Sequence, residues 1–252
     1  MSNVVGAIFM RTDMPPFNDV RVRRAISHAI DRQGIIEAVS GRGAPTQAIA
    51  RGLTEWSLPI DQLGAGAKYY QYNPQEAKRL LAEAGYANGL HTPLTATPGY
   101  GRDLIDAVQL IQQYLKDVGI EAELKLQEYG AYVATTVQGK YEGMAYGPHA
   151  IAWEPDGPLS RAYGPDSPTN ISHVNDAQLA AMLKEQRRTK DLEARKKIIF
   201  DIQRYAAEQQ YYVYTNSSTI TGTWQPYVKN YAPNLTFAFD YGSRAATLWL
   251  ER

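Results

Sequence analysis

Between Asn18 and Arg32 the apolar residues Val22, Ala25, Ile26, Ala29 and Ile30 recur at intervals of three and four, which predicts a helix with one buried stripe. Asn18 or Asp19 supplies its N-cap, and Pro15 and Pro16 hold the preceding chain extended. Arg21, Arg23, Arg24 and Arg32 are expected mostly on its outer face. A second helix is marked at both ends: Asn73 caps it, Pro74 suits the first turn, Glu76 stands at capping-box spacing and Gly85 closes it. Ala77, Leu80, Leu81 and Ala84 form its inner face. Leu104, Val108, Ile111, Leu115 and Val118 predict a third helix over 103–118, ended by Gly119. There the period changes to two, because Ile120, Ala122, Leu124 and Leu126 alternate with Glu121, Glu123, Lys125 and Gln127. That is a strand with one buried face, and a helix joined tightly to a strand predicts an α/β layer.

Residues 129–138 read as a short helix and 143–147 as a short strand. The strand leads into a loop of Gly, Pro, Asp and aromatic residues that runs through Asn170. Asn175 caps a helix carrying Leu179, Met182 and Leu183, and Asp191 caps a longer one carrying Ile198, Ile199, Ile202 and Tyr205. After Gln210 the segments YYVYTNSSTITGTW and LTFAFDYGSRAATLWL read as extended, aromatic runs. Residues 40–72 keep no period; such a stretch either crosses a domain and lines a site or is a plain surface loop.

Charge narrows the partners. The 252 residues hold 26 Lys plus Arg against 26 Asp plus Glu, so no net field favours a polyanion, and nucleic acid is not an expected partner. A 44% hydrophobic content suits a folded chain with a full core. With no cysteine there is no disulfide framework, thiolate zinc site or cysteine nucleophile. The opening MSNVVGAIFMRTDMPPF has neither the basic start nor the longer apolar run of a secretory leader, and no window is long and apolar enough for a membrane span.

The short motifs of nucleotide, metalloprotease and serine-hydrolase sites are absent. His28, His91, His149 and His173 lie far apart, so neither a metal site nor a cofactor is expected. Ser172, His173 and Asp176 could be weighed as a nucleophile triad, but neighbours in sequence rarely converge in space, and a polar helix start is the simpler account. Glu154, Asp156 and Asp166 share one loop with Trp153 and Tyr163, and three readings stay open. They form a glycosidase carboxylate pair with stacking platforms, a capped turn among prolines, or a pocket whose acid holds a ligand's ammonium.

Four ordered blocks resemble a known family. PPFNDVRVRRAISHAIDRQGII, YNPQEAKRLLAEAGYANG, LIQQYLKDVGIEAELKLQEYGAY and NDAQLAAMLKEQRRTKDLEARKKIIFDIQRYAAEQ are similar, in this order, to the C-terminal half of the extracytoplasmic solute-binding proteins of peptide and nickel ABC importers, family 5. The closing WQPYVKNYAPNLTFAFDYGSRAATLWLER resembles that family's terminus. The resemblance implies an α/β fold, the type II periplasmic-binding-protein C-terminal lobe, with a mixed sheet flanked by helices and the N-terminal lobe missing. It divides the chain into a linker and opening strand (1–17), the lobe (18–215) and a return segment (216–252) that in the family packs on the N-terminal lobe.

The resemblance further implies a periplasmic binding function without chemistry. Its ligand would be a peptide or related small solute, with oligosaccharide, opine or metal chelate as alternatives, and its partner an inner-membrane ABC permease. The missing lobe, or self-association, would cover the exposed face. In peptide-binding relatives a Trp is followed three residues later by an Asp that takes the peptide's amino group, and Trp153 and Asp156 stand at that spacing. The run GPLSRAYGPDS departs from the family's usual aspartate-proline-aspartate pattern. Tyr146, His149 and Tyr163 would join Trp153 and Asp156 at the cleft.

Overall fold

The computed structural model describes residues 4–149, 154–219, 223–231 and 248–251. Strand β1 (Val5–Met10) is followed by α1 (Val20–Ala29), the single turn α2 (Arg32–Ile35) and the short β2 (Gly43–Pro45). Next come α3 (Pro74–Glu83), β3 (Leu90–Ala96), α4 (Arg102–Asp117), β4 (Ile120–Leu126), α5 (Tyr129–Ala134) and β5 (Met144–His149). The chain continues through α6 (Asp156–Tyr163), α7 (Ala177–Arg188), α8 (Leu192–Gln209), β6 (Tyr212–Tyr214) and β7 (Asn216–Ser218). Two further strands, β8 (Val228–Lys229) and β9 (Trp249–Leu250), pair with each other.

Five strands form the central sheet in the order β4-β3-β5-β1-β6. β3 is parallel to β4 and β5, whereas β1 runs antiparallel to both β5 and β6. The carboxyl ends of β3, β4, β5 and β6 therefore share one edge of the sheet with the amino end of β1. Register follows from alternation. Ile8 lies between Tyr146 and Val213 and faces one core, while Phe9 lies between Ala145 and Tyr212 and faces the other. Burying each of Ile8, Met144 and Val213 contributes about 1.5–3 kcal/mol, and a one-residue slip would turn that whole set to the wrong face.

Helices α1, α3 and α4 cover the first face through Val22, Ile26, Leu81, Val108 and Ile111. Helices α6, α7 and α8 cover the second through Leu159, Leu179, Leu183, Ile199 and Ile202. The result is a mixed sheet between two helical layers. β7 leaves this sheet to pair with β2, Pro45 lying opposite Asn216.

Local capping signals hold where they were read. The Asp19 side chain accepts from Arg21 N, that of Asn73 from Glu76 N and that of Asp191 from Ala194 N. One cap shifts by a residue: Asp176, rather than Asn175, accepts from Leu179 N. Two arginines expected outside are buried. Arg23 donates to the carbonyls of Gln209, Phe17 and Asn18, and Arg32 donates to those of Tyr214, Ser27 and Tyr70. A guanidinium so fully engaged tolerates burial that a lysine could not, and each also lies over a tyrosine ring, Tyr211 and Tyr70 respectively. The loop expected to run to Asn170 contains helix α6 instead. The Glu154 carboxylate starts it by accepting from Asp156 N at 3.0 Å and Gly157 N at 2.8 Å.

Candidate functional site

In open α/β sheets, ligands bind outside the carboxyl ends of the strands. Here three segments meet at that edge: the turn after β3, the start of α5 after β4, and the end of β5. Thr97 fixes the first by accepting from Gly99 N at 3.2 Å, and Gly101 then turns into α4 with φ 100°. Gln127 fixes the second. Its backbone N–H donates to Ala96 O at 2.8 Å, which ties the ends of β3 and β4 together. Its side chain donates to Thr135 Oγ1 and accepts from Thr136 Oγ1.

These turns carry exposed rings. Tyr100 and Tyr129 meet edge to face, their centroids 5.2 Å apart, and are 39% and 45% exposed. Gly99 permits the approach, since a Cβ there would lie 2.5 Å from Tyr129 Cβ. Tyr100 also meets Tyr132, whose hydroxyl donates to Tyr146 O at 3.0 Å. The exposed pair thus stands on a buried tyrosine that is bonded to β5. Burial, with Tyr129 alongside, pushes the Tyr100 hydroxyl up to about 12, so it stays protonated at neutral pH.

Beneath the end of β5 lies an aromatic layer. His149 packs among Tyr212, Phe9 and Tyr214 with centroid separations of 4.9, 5.8 and 6.1 Å. Tyr163 donates to or accepts from the Tyr214 hydroxyl at 3.0 Å, and Tyr146 shares a 3.3 Å hydrogen bond with Thr215 Oγ1. Tyr146, His149 and Tyr163 are 3%, 6% and 1% exposed. Desolvation lowers the His149 pKa to about 3, and its Nδ1 has no hydrogen-bond partner among the described residues. The ring is neutral at physiological pH, and its free nitrogen sits at the carboxyl edge.

Asp156 occupies a different setting. Its Oδ1 accepts from Arg187 Nε at 2.8 Å, from Ser160 Oγ at 2.7 Å and from Gln186 Nε2. Burial works against its ionisation, but Arg187, Ser160 and Gln186 together outweigh that and hold the carboxyl below its ordinary value. Glu154, besides capping α6, pairs with Arg195 at 3.0 Å. Both acids therefore tie α6 to the neighbouring helices. Asp166 lines a groove of about 720 Å³ with Arg161, Lys184, Arg187 and Arg188. Trp153 lies outside the described residues.

Ser172, His173 and Asp176 do not converge. Ser172 Oγ accepts from Met10 N, His173 Nε2 meets Gly139 O, and Asp176 accepts from Tyr205 and Tyr211. Of the residues expected at the cleft, Tyr146 and His149 lie in β5 and Tyr163 in α6, where it bonds to Tyr214; Tyr100 and Tyr129 were not among them. A signal for Tyr100 was available in TPGYG ahead of a helix, a glycine-flanked ring at a strand-to-helix turn.

Residues 1–170 match the middle region of the bacterial extracellular solute-binding proteins, family 5. The chain belongs to that family. It is 30% identical over 213 residues to di/tripeptide-binding protein 3 of Pseudomonas aeruginosa, covering 81% of this chain and 38% of that protein. It is 28% identical over 242 residues to heme-binding protein A of Haemophilus influenzae, covering 94% of this chain and 43% of that one. The solved structure of the periplasmic binding protein DppA from Helicobacter pylori, in complex with peptide STSA, superposes with a TM-score of 0.79 at 22% identity, over 100% of this chain and 48% of the other. That likeness is one of fold. The chain spans less than half the length of these relatives.

Proposed function

We propose that this chain is the C-terminal lobe of the substrate-binding component of an ABC importer, taking a peptide or a related small solute outside the cytoplasm and releasing it unchanged. The observation that carries this reading is the shared carboxyl edge, where Tyr100 and Tyr129 stand exposed beside the end of β5, whose Tyr146 and His149 are buried on opposite faces of the sheet, His149 on the face of Tyr163. Family membership supports it, and the di/tripeptide-binding relative favours a peptide over the other cargoes of the family. In this reading the edge is one wall of a cleft whose other wall is a second lobe, and a membrane permease is the partner that receives the cargo.

The Nδ1 of His149, without a partner among the described residues, gives the wall a hydrogen-bonding group at the end of β5. Asp156 enters as the acid of the rim. Its bond to Arg187 must open, or be shared, for a cargo ammonium to reach it. Native mass spectrometry of the gently purified chain, with and without an equimolar mixture of di- to tetrapeptides, tests the reading. Adducts of intact peptide mass are expected. Hydrolysed peptides, or no adduct with any member of the mixture, would overturn it.

A further inference from the structure

Exposed apolar side chains are ordinary when scattered, but at the carboxyl edge they cluster. Tyr100 follows β3, Tyr129 opens α5, Val133 lies on the same face of α5 one helical turn on, and Leu126 ends β4; all four are exposed. The two rings are fixed in place. Tyr129 packs on the backbone at Gly99, and Tyr100 rests on Tyr132, itself hydrogen-bonded to β5. A preformed ring pair loses little freedom when something lands on it.

Of the charges beside these turns, Arg102 and Glu128 are engaged, while Asp103 in the first turn of α4 is exposed. Arg102 pairs with Asp106 one turn along α4 at 3.4 Å, and the Glu128 carboxylate caps α5 by accepting from Ala131 N at 3.0 Å. Backbone N–H groups of Gly130 and Ala131 hold that carboxyl below its ordinary range. What the edge presents to a ligand is chiefly the apolar surface of the two rings.

Resting on the cleft reading above, we infer that Tyr100 and Tyr129 form a shelf that takes an aromatic or bulky apolar side chain of the cargo. The occupant is cargo rather than a macromolecular surface because the shelf is continuous, through Tyr132 and Tyr146, with the end of β5 where ligands of this sheet type bind. An added ring can adopt the offset or edge-to-face geometry that the existing pair already uses.

Isothermal titration of the chain with alanyl-alanine and alanyl-phenylalanine reads this directly. The wild type is expected to bind the phenylalanine dipeptide about tenfold more tightly, as one well-placed ring contact plus its burial allows. Tyr129→Ala should abolish that preference, bringing the two dipeptides to within about twofold of each other. Tyr129→Leu keeps apolar bulk without the ring and should retain part of it. If both dipeptides bind equally to the wild type, or Tyr129→Ala keeps the preference, the shelf is wrong while the cleft reading stands. If neither dipeptide binds, the peptide reading fails and the shelf fails with it.

Discussion

His149 should make this protein acid-sensitive in a defined window. Its folded pKa is lowered to about 3 by burial, so between that value and the ordinary 6.5 the unfolded chain carries a proton that the folded one refuses. Stability from this group is thus complete above pH 6.5 and is lost as pH falls toward 3. Near pH 5 the difference approaches one proton, which corresponds to about 1.3 kcal/mol per pH unit. From pH 7 to pH 4.5 the loss from His149 sums to about 2–3 kcal/mol, a large fraction of an ordinary domain's stability.

The carboxylates enter at the acid end of this window and alike in a single-site variant. Asp13, Asp19, Asp156 and Asp176, lowered from 3.8, and Glu76 and Glu128, lowered from 4.5, begin to lose their contributions as pH falls toward those ordinary values and go on losing them below. His28, also lowered by burial, adds loss of the same sign, so the comparison must be with a single-site variant. His149→Phe suits a site already lined by Phe9 and Tyr212. Urea denaturation of both proteins at pH 7, 6, 5 and 4.5 should show the wild type falling by about 1 kcal/mol per unit more than the variant. The slope is the readout, so a constant offset from repacking does not matter. Equal slopes, or an NMR titration of the His149 ring near its ordinary value, would refute the reasoning.

Two further perturbations test other parts of the account. Asp156→Ala should cost about 1–3 kcal/mol in denaturant unfolding because it strands the buried Gln186 amide along with Arg187 and Ser160, whereas Arg187→Ala, at a half-exposed partner, should cost under about 1 kcal/mol; equal losses would contradict this division. Gly66→Ala would place a Cβ 2.6 Å from Ala207 Cβ and 2.7 Å from its carbonyl carbon, so the turn must move off α8 at a cost of about 1–3 kcal/mol, read as a lowered thermal midpoint.

How far the sequence reached depended on whether the deciding interaction was local. The helix at Pro74–Glu83 was legible because its cap, first-turn proline and apolar stripe all lie within a dozen residues. Strand β3 was not read, since His91, Thr92 and Pro93 break its apolar pattern and its alternation becomes visible only between β4 and β5. Arg23 and Arg32 looked like surface charges because their acceptors, Gln209 and Tyr214, arrive from the far end of the chain. The same holds at the site. Tyr146 and His149 sit on one strand and could be grouped by inspection, but Tyr100 and Tyr129 meet only because the parallel register of β3 and β4 brings their carboxyl ends level. The Glu154 and Asp156 pair was open to three readings, and among the described contacts it caps and clasps α6.

The central claim is that cargo lies along the carboxyl edge of the sheet. Amide chemical-shift mapping of the isotope-labelled chain during titration with alanyl-phenylalanine tests it most directly. The account predicts changes concentrated at residues 97–101, 127–133 and 146–149, the three segments that meet there. Changes centred instead on the groove around Asp166 between α6 and α7, or none at millimolar peptide, would contradict it.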